Sequence, residues 1–342
     1  MVAEVWRGDF LESVHHGTVL ALGPDGRTVL SVGETDRPMY PRSSNKPLQA
    51  LGMLRAGLDL DGELLALACA SHSGEAFHLD GVREILGGAG LDTGALRCTA
   101  ALPIGEAALR DHLAAGGGPT PLTMNCSGKH AAMLATCVAN GWDTATYLDP
   151  GHPLQRALLD TVEDLAGEKV AATGVDGCGA PLFAIGYRGL ARAFAALATG
   201  PAGSPERRVA RAMNQHAEYV GGTGRDVTRL MRALPGSVAK DGAEGVYALA
   251  LPDGSAVALK IADGSTRARP VVLAAALRRL GVPVDTDDTL AELAVVPVLG
   301  HGEPVGAVRP ARALLDGSPL RPTEPGATEP GATEPGATAP TA

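Results

Sequence analysis

The sequence predicts an α/β fold in which N- and C-terminal strands make a mixed or antiparallel sheet around a block of helices. Two observations carry this. Hairpin patterns with the same Pro-Asp-Gly turn stand towards opposite ends of the chain, "HHGTVLALGPDGRTVLSVG" from His15 and "GVYALALPDGSAVALKIAD" from Gly245. The stretch between them carries mainly helical periodicity. The regular strand–helix alternation of a doubly wound parallel sheet is absent.

In chain order, the first hairpin alternates apolar and polar residues on either side of its turn. Helical patterns follow over residues 47–58, 129–140, 153–166, 182–197 and 205–219. The second hairpin comes next, then a helical pattern over 270–280. Strand-like pieces in "ELAVVPVLGHGEPVGAV" close the body. Residues 1–321 read as one α/β domain. Beyond it a "TEPGA" unit repeats three times from Thr323. With no large apolar residue it cannot bury a core, so 322–342 reads as a disordered tail.

Composition narrows the function. The 342 residues are 45% hydrophobic, enough for a sizeable core. A net charge of -9 argues against nucleic acid or an anionic membrane as partner. An aromatic content of 3% argues against stacking platforms for single strands. No apolar run approaches the roughly 18 residues of a membrane span, and "MVAEVWRGDFLESVHHG" lacks the basic start and apolar core of a secretory signal. Five cysteines without a short-range framework fit a reducing compartment, so the expected location is cytoplasmic.

Arginine greatly outnumbers lysine. Lysine can lose its proton in a protein and arginine cannot, so the placement of Lys46, Lys129, Lys169, Lys240 and Lys260 is informative. In "RSSNKPLQ", Ser43 and Lys46 are three residues apart and share a face if helical. A neutral amine there can take the serine proton, and the helix start offers N–H groups to an oxyanion. S-x-x-K is the first motif of penicillin-recognising serine enzymes, with a lysine–glycine strand element as the third. Lys240-Asp241-Gly242, just ahead of the second hairpin, stands where that strand lysine belongs, and Ser237, also in S-x-x-K spacing, is incidental.

Two further stretches carry chemistry. "ALACASHSGE" ends a buried segment in small polar residues, as site-lining segments do. "MNCSGKHAAM" sets Cys126 three residues from Lys129, with His130 next, and "GVDGCGAP" sets Cys178 beside Asp176 in a Gly-rich loop. From the residues alone, Cys126 and Cys178 are a zinc pair, a redox pair or two free thiols.

Together, "RSSNK", "CASHSGE", "NCSGKHAAML", "DGCGAP" and "KDGAEGVY" resemble, in this order and over about residues 8–310, the inducible, rhizobial-type (class 3) L-asparaginases. That resemblance implies a fold similar to serine β-lactamases and glutaminases. It implies hydrolysis of L-asparagine to aspartate and ammonia, a homodimer, and no organic cofactor. Residue by residue, it implies two serine–lysine tandems, Ser43 with Lys46 and Ser71 with Lys240. It implies one zinc ion on Cys126, Lys129 and Cys178, with Asp176 in the outer shell, and Arg42 and His130 near the substrate. The alternatives are another serine–lysine amidase, a zinc-hydroxide hydrolase, or a zinc-binding protein without catalysis.

Overall fold

The computed structural model describes residues 1–315. The tail expected over 322–342 lies outside them.

The chain opens with β1 (Ala3–Arg7), β2 (Phe10–His15), β3 (Gly17–Leu22) and β4 (Thr28–Val32). A 3₁₀ turn, Arg42–Asn45, leads into α1 (Lys46–Arg55), then α2 (Gly62–Ala68), α3 (Ala76–Gly88), α4 (Glu106–Ala114), α5 (Ser127–Asn140) and α6 (Pro153–Ala166). A short hairpin, β5 (Ala172–Val175) and β6 (Pro181–Ala184), precedes α7 (Tyr187–Thr199), α8 (Pro205–Gln215), α9 (Ala217–Val220) and α10 (Asp226–Ala233). The chain then returns to sheet with β7 (Val238–Asp241), β8 (Val246–Ala250) and β9 (Ala256–Ile261). Helices α11 (Arg269–Arg279) and α12 (Asp288–Leu293), strands β10 (Val296–Gly300) and β11 (Glu303–Pro310), and α13 (Arg312–Leu315) complete it.

The α/β class with antiparallel sheets is as expected. The two Pro-Asp-Gly hairpins join through β3 and β9 into a five-stranded sheet of order β4-β3-β9-β8-β7. The C-terminal strands do not enter it. They pair with β1 in a second sheet, β10-β11-β1-β2. The chain crosses between the sheets at His16, and Gly17 makes the crossing possible: a Cβ there would lie 2.5 Å from the Lys260 carbonyl oxygen.

Helix α1 is buried along its whole length from Lys46 to Leu54. A helix apolar on every side belongs inside a domain, and Pro47 sits in its first turn, where a missing N–H leaves nothing unpaired. Around it pack α5, α6 and α8. Two expected helices differ from those seen. Residues 182–197 divide at Gly186, because Pro181–Ala184 pairs with β5 before α7 begins. Residues 205–219 divide at His216, whose ψ of 49° breaks the helical path into α8 and α9. Helix α5 meets the end of α2 very closely. A Cβ on Gly128 would lie 2.5 Å from the Leu67 carbonyl oxygen, so glycine there lets the two helix ends that carry polar motifs come together.

Candidate active site

The 3₁₀ turn runs directly into α1, closed by the Lys46 N–H on the Ser43 carbonyl. Residues three apart eclipse in such a turn, so Ser43 and Lys46 share a face. Lys46 is 1% exposed. A lysine nitrogen so deep requires hydrogen-bond partners, and its Nζ donates to the Ala70 carbonyl and to Ser71 Oγ at 3.0 Å. Ser43 is half-buried, and among the described residues its hydroxyl has no hydrogen-bond partner.

Ser71 lies just past the end of α2. Its segment is clamped on both sides: the Ser71 N–H donates to the Val220 carbonyl and the His72 N–H to that of Asn125. A further hydrogen bond, 2.9 Å, joins His72 Nε2 to Ser127 Oγ at the start of α5.

Lys240 lies on β7, fully buried. Its ammonium donates to the carbonyl and carboxylate of its neighbour Asp241, whose other oxygen accepts from Arg225 at 2.8 Å. Arg269 closes the group at 3.9 Å. Burial pushes the Lys240 ammonium down to about 8, with Lys46 adding to the effect against the pull of Asp241. Burial opposes charge on Asp241 too, yet Lys240, Arg225 and Arg269 hold its carboxyl well below the usual range. The Ser44 hydroxyl donates to the Lys240 carbonyl, tying β7 to the 3₁₀ turn.

The hydrogen bonds therefore pair these residues differently from the tandems expected. Lys46 crosses from α1 to Ser71, and Lys240 is satisfied by Asp241. The reason is acceptor supply: Asp241 gives Lys240 a full counter-charge within one residue, while Lys46, with no carboxylate bonded to it, takes a carbonyl and a hydroxyl.

Beside this lies the cysteine group. Cys126 stands at the N-terminal end of α5, with Lys129 and His130 in the first turn. Lys129 Nζ donates to Cys178 Sγ at 3.2 Å. A hydrogen bond from Cys126 holds the Cys178 thiol far below a normal thiol, burial opposes this, and Lys129 and His130 assist. The same bond, followed by burial, pushes Cys126 well up. Burial works against the Lys129 charge, but Cys178 and Cys126 raise it overall. Burial lowers His130, which bonds Tyr147 through Nδ1 at 2.8 Å, and its buried Nε2 has no hydrogen-bond partner among the described residues.

Asp176 links this group to the 3₁₀ turn. Its Oδ1 accepts from Arg42 Nε at 2.9 Å and its Oδ2 lies 4.0 Å from Cys178 Sγ. Thus Arg42, Asp176, Cys178, Lys129, His130 and Cys126 form one connected group, and Lys46, Ser71 and Lys240 are anchored on neighbouring elements. Among the described residues, no three or more His, Cys, Asp and Glu side chains are arranged to hold a metal ion. The set implied by resemblance has two cysteines and a lysine, so it is not of that kind. Its two cysteine sulfurs, with His130 Nε2 beside them, are ordinary zinc donors, and Lys129 would join them only on giving up its ammonium proton.

Sequence reasoning missed Asp241, Arg225 and Arg269, the charges around Lys240. The adjacent "KD" was the available signal for the first. Arg225 stands just before α10 and Arg269 opens α11, and neither left one.

A family profile described as L-asparaginase II matches residues 3–310. That defines the chain as an amidohydrolase of the asparaginase type, an enzyme acting on a small molecule. The chain belongs to the L-asparaginase II family. No curated protein sequence matches it. Solved structures similar to it include a β-lactamase from Mycobacterium bovis (TM-score 0.40, 15% identity, covering 81% of this chain and 95% of that one). Another is Mglu in its tris and glutamate form (TM-score 0.37, 17% identity, 82% and 61%). A third is EstCE1, a hydrolase with promiscuous acyltransferase activity (TM-score 0.39, 15% identity, 77% and 93%). Among the described residues, no helix is long and apolar enough to cross a membrane.

Proposed function

We propose that the protein is an L-asparaginase that hydrolyses L-asparagine to L-aspartate and ammonia through Ser43. The observation that carries this reading is the burial of the Lys46 amine against Ser71, on the helical face it shares with Ser43.

Ser43 Oγ attacks the side-chain amide carbon of asparagine, and Lys46 in its uncharged form accepts the hydroxyl proton. Backbone N–H groups at the helix start hold the oxyanion. The proton returns through Ser71 to the departing nitrogen, ammonia leaves, and an aspartyl ester on Ser43 remains. Water cleaves that ester and frees aspartate and the serine. Lys240, paired with Asp241, keeps a positive charge beside the reaction. Accessibility favours Ser43 as nucleophile: it is half-buried and its hydroxyl is unbonded among the described residues, whereas Ser71 is 4% exposed and already bonded. Arg42 and His130 bind the substrate, and Asp176 fixes Arg42.

One zinc ion on Cys126, Lys129 and Cys178, when bound, orders the groups that hold the substrate α end. Five free, buried cysteines among the described residues support a cytoplasmic enzyme. The family resemblance adds a homodimer, with residues 1–321 as one domain.

A second reading has one observation in its favour: the hydrogen bond from Lys46 goes to Ser71, which then is the nucleophile. Ser43→Ala separates the two. Ammonia release falls to background on the first reading with circular dichroism unchanged, and survives on the second while Ser71→Ala abolishes it.

A further inference from the structure

We propose that Glu244 is a substrate-binding residue that receives the α-ammonium group of the amino acid, beside an Arg42 that takes the α-carboxylate. This deepens the asparaginase reading and rests on it.

The turn between β7 and β8 packs against the turn that carries Ser43. A Cβ on Gly242 would lie 2.8 Å from the Pro41 carbonyl oxygen and 3.1 Å from Ser44 Oγ. Across this contact, Arg42 and Glu244 face each other, Nη1 to Oε1 at 3.7 Å. Both backbones are left-handed, φ 51° and 59°. Side-chain-bearing residues adopt that region at a cost and keep it where the surroundings hold them. Gly245 is the next residue, yet the strained position carries a glutamate.

Charge points to the occupant. Around the site, Asp241 is enclosed by Lys240 and Arg225 and is 8% exposed. Asp176 is 11% exposed, and its Oδ1 already accepts from Arg42 and from the Gly177 N–H. The Glu244 side chain is 61% exposed, and its contact with Arg42 is longer than a hydrogen bond, so its oxygens keep capacity for a donor. Its position is nevertheless held. Lys260 Nζ donates to the Glu244 carbonyl at 2.6 Å, and Oε2 lies so near residue 264 that a Cβ there would be 2.9 Å away. Arg42 and Lys260 on one hand, Glu244 on the other, complement a zwitterion: carboxylate towards the cations, ammonium towards the glutamate.

The test compares two ligands that differ in the α-ammonium alone, L-aspartate and succinate, by calorimetric titration of the full-length wild type and Glu244→Gln. An exposed Glu-to-Gln change leaves folding intact, and a melting curve checks it. L-Aspartate affinity should fall about 10- to 100-fold in Glu244→Gln while succinate affinity holds or rises. Glu244→Asp should keep much of the preference. The proposal is overturned if both ligands weaken equally, as a role confined to positioning Arg42 predicts, if neither changes, or if the wild type does not bind L-aspartate. Ammonia release from L-asparagine by the wild type reads the asparaginase activity separately, and the aspartate-to-succinate ratio decides Glu244 whichever way that goes.

Discussion

Lys46 Nζ lies 3.0 Å from Ser71 Oγ, although Lys46 opens α1, Ser71 follows the end of α2, and the two are 25 positions apart. In the proposed reaction this bond makes the hydroxyl part of the proton path between nucleophile and leaving group. Ser71→Ala leaves the buried amine with the Ala70 carbonyl alone and cuts the return route. Steady-state kinetics should show kcat reduced about 10²- to 10⁴-fold, as for loss of a proton-transfer group, with KM much less affected.

Lys240 titrates inside a buried cluster, and its effect on stability has a definite sign. Its folded pKa, about 8, lies below the ordinary lysine value of 10.5. Between those values the unfolded chain holds more protons, so this lysine's contribution to stability rises with pH. Below 8 its burial as a cation opposes folding, and above 10.5 the effect is fully relieved. Chemical denaturation of wild type and Lys240→Met at pH 7.5 and pH 10.5 should show the difference moving in favour of wild type by roughly 2–4 kcal/mol. A flat difference would mean that Lys240 is not desolvated.

Zinc removal should affect binding more than turnover. In the proposed reaction two thiolates would make a weakly acidic metal centre, and Ser43 would supply the nucleophile. Dialysis against a chelator, or Cys178→Ser, should lower bound zinc measured by elemental mass spectrometry. The KM for asparagine should rise about tenfold with kcat changed less than threefold, a removal of uniform binding. A kcat that collapses with zinc content would favour a metal-hydroxide mechanism instead.

Parts of the architecture were legible because local signals agreed. Helix α6 begins at Pro153 and stops at Gly167 in a left-handed cap, and both residues punctuate the sequence. The two Pro-Asp-Gly turns marked hairpins that do share a sheet. The second sheet was hidden because every residue of β2 from Phe10 to Val14 is exposed, so the strand carries no inward-outward alternation. Pro181–Ala184 is buried throughout, and a short apolar run reads equally well as helix. At the site, S-x-x-K spacing identified a lysine that proves to be buried, but spacing carries no information about which hydroxyl its amine meets. That depends on Gly128 letting α5 reach α2, and on Asp241 occupying Lys240. Both are tertiary facts, and the Arg225 and Arg269 charges that hold Asp241 stand in segments with no motif.

The most direct measurement of the central claim is peptide-level mass spectrometry after rapid acid quench of the enzyme mixed with a slowly turned-over asparagine analogue. An aspartyl-type ester on the peptide carrying Ser43, absent from Ser43→Ala, is the predicted result. An ester on the peptide carrying Ser71, with Ser43 unmodified, would contradict it.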